Sequence, residues 1–155
     1  MRPTTAIPRS LCAVLTLTAL TALTALTSCS SPAEENWNAI ATGVDGEVGG
    51  VEVRSLLLVA SEEGQPARFL GTLVNPGNES VDVVLADGDD SVTVSVPAES
   101  QTPFDTTETV LPSADGRPGS RVPITIEVMG EDEELSVPVL DGTLEQYEPY
   151  LPDAA

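Results

Sequence analysis

The chain has 155 residues, with 25 Asp or Glu, 6 Lys or Arg and no His, for a formal charge of −19. All 6 cations are Arg. Nucleic acid is excluded as a partner, because phosphate neutralisation needs a basic patch. A chain without His or Lys also cannot build a Ser-His-Asp triad, a Ser-Lys pair, a Schiff base or a His-ligated metal site. The length suits one domain.

Residues 1–28 read as a bacterial lipoprotein signal peptide. Arg2 and Arg9 supply a short positive start, and Ser10 to Leu26 carries no charge. The repeat Thr-Ala-Leu at 18–26 is low in complexity, as befits a segment selected for hydrophobicity alone. The apolar stretch is at the short end for spanning ~30 Å of hydrocarbon, and small residues follow it directly. Leu26-Thr27-Ser28-Cys29 matches a lipobox. The thiol of Cys29 would carry a diacylglyceryl thioether, and the small residues before it admit the peptidase. Two or more acyl chains, at ~0.8 kcal/mol per buried methylene, hold a protein stably on a membrane.

Cleavage before Cys29 leaves Arg54, Arg68, Arg117 and Arg121 against all 25 carboxylates, so the formal charge falls to −21. Cys12 leaves with the leader, and the remaining single cysteine cannot form an intrachain disulfide. An anionic membrane surface repels such a domain, so the lipid must do the holding.

Residues 29–43 read as the lipidated N-terminus and a tether, rich in Ser, Pro, Ala, Glu and Asn without an apolar period. Trp37 stands out there, either docking the tether on the domain or anchoring a partner. Residues 44–140 read as the folded domain. From Val51 the pattern has period two, the strand signature. Val51 to Arg54 leads into Leu56-Leu57-Leu58-Val59, where alternation is lost, as in a strand covered on both faces. Arg68 to Asn75 is the next run. Asn75-Pro76-Gly77-Asn78 reads as a turn, with Pro76 fixing φ and Gly77 accepting positive φ.

Val81, Val83 and Leu85 alternate with polar positions, and Asp87-Gly88-Asp89-Asp90 closes a hairpin onto Val92, Val94 and Val96. One strand is expected within Phe104 to Leu111, and Pro112 to Ser120 reads as a long loop. Val122, Ile124, Ile126 and Val128 alternate next, and Pro123 among them argues for an edge strand or a strand start. Gly130 to Glu133 is expected to turn the chain into Leu135, Val137 and Val139. Residues 141–155 form a tail with Tyr147, Pro149, Tyr150, Leu151 and Pro152.

No stretch of the mature chain carries a helical apolar stripe. About seven short strands separated by turns predict an all-β, antiparallel β-sandwich, immunoglobulin-like in the broad sense. Its core would be mainly Val and Leu, since aromatics make up 3% of the chain.

The lipobox, the segment Arg68-Phe-Leu-Gly-Thr-Leu-Val-Asn75, the acidic hairpin and the Val-Pro-Val before a Tyr/Pro tail resemble small actinobacterial cell-envelope lipoproteins of the mycobacterial LpqE type. Those are distantly similar to periplasmic copper chaperones, so the resemblance implies a cupredoxin-like sandwich. The chaperones bind Cu(I) through His and Met. This chain has no His, and Met129 is the single Met after processing, so the copper activity does not carry over.

The acidic groups Asp87, Asp89, Asp90 and Glu131 to Glu134 lack EF-hand spacing and read as solvated turns. Carboxylate pairs of the kind a glycosidase uses are too numerous here to be informative. Arg54 and Arg68 are expected to pair with nearby carboxylates. Tyr147 and Tyr150 are candidate partner contacts if the tail does not pack on its own domain. No catalytic, cofactor or metal residue is assigned.

The resulting expectation is a non-catalytic lipoprotein, anchored through Cys29 on the extracytoplasmic face of the cell membrane. It would act as a binding or accessory module for another envelope protein or ligand. Two alternatives are a metal-handling relative of the copper chaperones and an envelope glycan hydrolase.

Overall fold

The computed structural model describes residues 43–153. The leader, Cys29 and Trp37 lie outside the described residues. The described residues form nine strands: β1 (Val44–Val48), β2 (Val51–Ala60), β3 (Ala67–Asn75), β4 (Val81–Asp87), β5 (Asp90–Val96), β6 (Ser100–Pro103), β7 (Val110–Leu111), β8 (Arg121–Val128) and β9 (Glu131–Leu140). A single 3₁₀ turn, Glu148–Tyr150, is the only helical element among the described residues.

The fold is all-β. Strand order is β5-β4-β8-β9-β2-β3-β6, with β1 added to β2 and β7 to β3. One layer is β5-β4-β8-β9 and the other is built on β2 and β3. Strand β9 joins them. Its first part, Glu131 to Pro138, runs antiparallel to β8. Its last residues, Val139 and Leu140, run parallel to Leu58 and Val59 of β2. Among the described residues that is the one parallel pairing in a sandwich otherwise antiparallel, as alternation and hairpin turns predict.

Period-two alternation fills the space between the layers with Val, Leu and Ile. Leu56, Leu58 and Leu73 come from one layer; Val83, Leu85, Ile124, Ile126 and Val137 come from the other. The two Phe residues, Phe69 and Phe104, meet there with ring centroids 6.2 Å apart and planes tilted by 45°. That edge-inclined geometry favours the ring quadrupoles.

Nine strands stand where about seven were expected, for two local reasons. Strand β1 places Val44, Gly46 and Val48 on one face, but Gly46 carries no side chain to mark the alternation. A Cβ there would lie 2.8 Å from a Leu135 methyl, so the packing needs the gap. The strand expected within 104–111 is only the two-residue β7 at its end, and a further short strand, β6, precedes Phe104 on the other side of an exposed loop. Phe104 N–H still donates to Gly71 O (3.0 Å) and Phe69 N–H to Thr109 O (2.9 Å), so the edge of β3 is covered in instalments.

Strand β2 changes neighbour midway, at a bulge. Pairing with β3 shifts register between Arg54 and Leu57, and Ser55 sits at φ 52°. The Ser55 N–H, turned out of the ladder, donates to Asp45 Oδ1 at 2.7 Å. Opposite the bulge, Gly71 has φ 127°, and a Cβ there would lie 2.8 Å from Arg54 O. Only glycine fits that conformation and that approach. Before the bulge the free edge of β2 is taken by β1; beyond it, β9 takes over.

Pro123 and Pro138 sit in β8 and β9 without breaking them. Val139 N–H donates to Ser120 O at 3.0 Å, so the pairs Arg121–Pro138 and Pro123–Ser136 fall at positions that exchange no ladder bonds. On its other side, β8 meets β4 only from Thr125 onward. Pro123 thus lies near the start of β8, where one flank is unpaired, as its missing N–H requires.

Candidate functional site

Loss of alternation in β2 has a physical cause. Leu56 and Leu58 enter the main core, while Leu57 and Val59 form a second cluster with Leu70 on the outside of the β2–β3 layer. The C-terminal tail covers it: Leu140, Tyr147, Tyr150 and Leu151 pack there. Three polar contacts shape the tail. Thr143 N–H donates to Asp141 Oδ1 at 3.0 Å, which holds that carboxyl below its ordinary value. Tyr147 N–H donates to Leu144 O at 2.8 Å, and Tyr150 N–H to Tyr147 O at 3.0 Å, winding the chain down onto the sheet.

Arg68 lies beside this cluster, on β3. Its guanidinium carbon stands 5.1 Å from the centroid of the Tyr150 ring. Its Nη2 donates to Phe104 O (3.4 Å) and Asp105 O (3.2 Å). Its Nε is buried and unpartnered. The expected carboxylate partner is therefore replaced by an aromatic face and two carbonyls. A cation over a tyrosine is worth about 0.5–2 kcal/mol depending on desolvation. Arg54 does meet the expectation: it forms an ion pair with Glu52 across one intervening residue of β2, both side chains substantially exposed. Such pairs contribute little in water.

The acidic groups separate by environment. Asp87, which the sequence places in a solvated turn, is only 4% exposed. It accepts a hydrogen bond from Asp115 N–H at 2.9 Å. Burial, followed by repulsion from Asp115 and Asp90, outweighs that bond and raises its pKa above the ordinary carboxylate value. Glu131 to Glu134 was expected in a turn. The turn is Met129-Gly130, and the four acids already belong to β9. Pleating sends them alternately to opposite faces, so they do not converge on one point. No group of three or more His, Cys, Asp or Glu among the described residues can hold a metal ion.

Two open concavities lie at the surface. One runs along the β1–β2 ribbon, lined by Asp45, Glu47, Glu52, Val53, Arg54 and Ser55. The other sits at one end of the sandwich, where the β1–β2 turn, the 75–79 loop and Met129 meet. Met129 is 77% exposed with φ 55°, an unusual combination for a large apolar side chain.

Sequence reasoning missed Asn75. It is 3% exposed, and its Nδ2 faces Glu79 O (2.8 Å), Val96 O (3.2 Å) and Pro97 O (3.1 Å). Its Oδ1 accepts from Gly77 N–H at 2.9 Å. The loop is therefore an Asx turn, and Gly77 does not adopt the positive φ expected of it. The signal was available: Asn75 continues the inward alternation of Leu73, so its amide had to be satisfied inside.

Of the residues singled out by sequence, Tyr147 and Tyr150 are brought together as half-buried covers of the outer cluster, while Cys29 and Trp37 lie outside the described residues. No helix among the described residues is long and apolar enough to cross a membrane. No protein-family model matches the chain, and no curated protein matches it.

Proposed function

We propose that this chain is a bacterial lipoprotein held on the extracytoplasmic face of the cell membrane by acyl chains on Cys29. There its sandwich serves as a non-catalytic binding or adaptor module for another envelope component. The observation that carries the location is Leu26-Thr27-Ser28-Cys29 at the end of a charge-free apolar stretch. The proposal extends to kinship with the actinobacterial envelope lipoproteins that the chain resembles.

The site chemistry supports a binding role over a catalytic one. The one buried carboxylate among the described residues, Asp87, is engaged by a backbone N–H. The other acids are spread over turns and both faces of strands. The mechanism is local concentration: acyl chains confine the domain to the membrane plane, and a tether of roughly a dozen residues gives it a reach of up to ~45 Å.

Mass spectrometry of the membrane fraction tests the anchor. It should find residues 1–28 removed and Cys29 acylated. Cys29→Ser should block processing or release the protein. Unchanged membrane retention of that variant refutes the anchor. Crosslinking in the native envelope tests the adaptor role; recovery of the chain with small-molecule turnover and no bound protein or ligand refutes it.

A further inference from the structure

Strand β5 is an end strand. It pairs with β4 over its whole length, Val81–Val96 to Asp87–Asp90, without a bulge, and among the described residues no strand is hydrogen-bonded to its other side. A two-residue connection, Gly88-Asp89, makes Asp87–Asp90 a hydrogen-bonded pair. Ladder bonds then recur at Val92, Val94 and Val96. The backbone N–H and C=O of Ser91, Thr93 and Ser95 point away from β4, into the open edge.

Natural edges are guarded by Lys, Pro, bulges or inward charges. Ser91 to Val96 has none of these. Its outward side chains are two serines and a threonine, all exposed, and Val92 on the inner side is only partly covered by the core. In a chain this acidic, an uncharged and unbulged edge of six residues is the exception on the surface.

We propose that two copies of this chain join through their β5 edges, antiparallel about a twofold axis at Thr93, so that two four-stranded layers become one continuous sheet. Three considerations select this occupant and register. A twofold axis can pass through a pair that exchanges bonds (Ser91, Thr93 or Ser95) or through one that exchanges none (Val92 or Val94). Centring on Thr93 pairs Ser91 with the partner's Ser95 twice over and Thr93 with itself, for six backbone hydrogen bonds. It also brings each Val92 against the partner's Val94 on the inner face.

Hydrogen bonding and charge decide between these centres: a Val92 or Val94 axis makes only about four bonds within Ser91 to Val96. With Thr93 on the axis, Asp90 lies six positions from its own copy, roughly 20 Å along the strand, well beyond the ~8 Å screening length. A Ser91 centre brings the two Asp90 residues to about 7 Å. A Ser95 centre shortens the overlap and meets Pro97, which has no N–H to give. The joint is small, so it forms where copies are crowded. The inference rests on strand order and register, and holds or fails independently of the anchor.

The test is disulfide trapping with the full chain in its native membrane. Thr93 on the axis has its counterpart about 5.5 Å away between Cα atoms, within disulfide range. Thr93→Cys should yield a crosslinked dimer under mild oxidation, well above the unsubstituted chain, which reports any dimer made through Cys12 or Cys29. Ser91→Cys alone should not, since its counterpart lies ~14 Å off. The Ser91→Cys/Ser95→Cys pair should restore it. Adding Thr93→Lys to that pair should abolish crosslinking while the β4 ladder, to which Thr93 gives no backbone hydrogen bond, keeps the fold. No dimer with Thr93→Cys, equal dimer with Ser91→Cys, or an adduct to a different protein in place of the dimer would each overturn the proposal.

Discussion

Asn75 ties one layer of the sandwich to the other, and removing its amide tests whether that tie is energetic. The residue ends β3, while Val96 and Pro97 end and follow β5 in the opposite layer. Asn75→Ala deletes two N–H donors shared among Glu79 O, Val96 O and Pro97 O, and one acceptor for Gly77 N–H. Three hydrogen bonds at a net ~1 kcal/mol each, in a site closed to water, give a loss of about 3 kcal/mol. For a domain of this size that lowers Tm by roughly 10 °C. Asn75→Asp is the sharper probe, because the shape is kept. A carboxylate would face three carbonyl oxygens, so it should destabilise more than alanine at neutral pH. Its raised folded pKa then makes the variant recover as pH falls. Urea unfolding followed by circular dichroism measures both. An Asn75→Ala loss below ~0.5 kcal/mol, or Asn75→Asp more stable than Asn75→Ala at neutral pH, would refute the latch.

Asp87 titrates above its ordinary value because it is buried, so the folded state takes up its proton first and gains stability as pH falls through that raised value. Asp87→Asn, which keeps an acceptor for Asp115 N–H, should therefore raise the thermal midpoint at neutral pH and give no gain in acid, as a pH series of melts would reveal. Gly71→Ala forces a Cβ into φ 127° and against Arg54 O, and should cost about 3 kcal/mol in denaturant titration. Tyr150→Ala with Leu151→Ala should loosen the tail. Hydrogen exchange should quicken at Thr143 to Glu148 and exposed Leu57, Val59 and Leu70 should bind a hydrophobic dye, while amides of the inner core stay protected. Met129→Asn, at φ 55° in a two-residue turn that favours asparagine, should stabilise by about 0.5–1 kcal/mol.

What the sequence made legible follows the strength of local pattern. Val122 to Val128 and Val81 to Leu85 alternate cleanly, and their strands lie where alternation predicts. The triple leucine in β2 announced cover on both faces, and the tail supplies the second cover. Strand β1 escaped because Gly46 erases one inward position. The edge strand β6 escaped, and the strand expected within 104–111 shrinks to β7, because long-range pairing with β3, not local propensity, makes them strands. Arg68 was legible as a rare cation but not in its partner, since a tyrosine eighty-odd residues away in sequence becomes its neighbour only after folding. Asp87 looked like a turn acid; its burial depends on the 112–120 loop folding over it, which no local window contains.

These placements limit where the sandwich can recognise anything. The outer face of the β2–β3 layer is apolar at Leu57, Val59 and Leu70, but the tail occupies it. The outer face of the other layer carries Asp82, Pro123, Thr125, Glu127, Asp132 and Glu134, small or acidic and exposed, with like charges such as Glu127 and Asp132 directly opposite. Apart from the half-buried Val84 and Ala86, a surface of that kind repels an acidic neighbour and offers an apolar one little to bury. Under the proposed binding role, two surfaces remain besides the charged concavity along β1 and β2: the uncharged edge of β5 and the end where Met129 protrudes between the 49–50 and 75–79 turns. An edge recognises backbone and is tolerant of sequence, whereas an exposed methionine recognises apolar shape and is tolerant of geometry. The two sites ask for different partners, and the strand register allows the first of them to be another copy of the same chain.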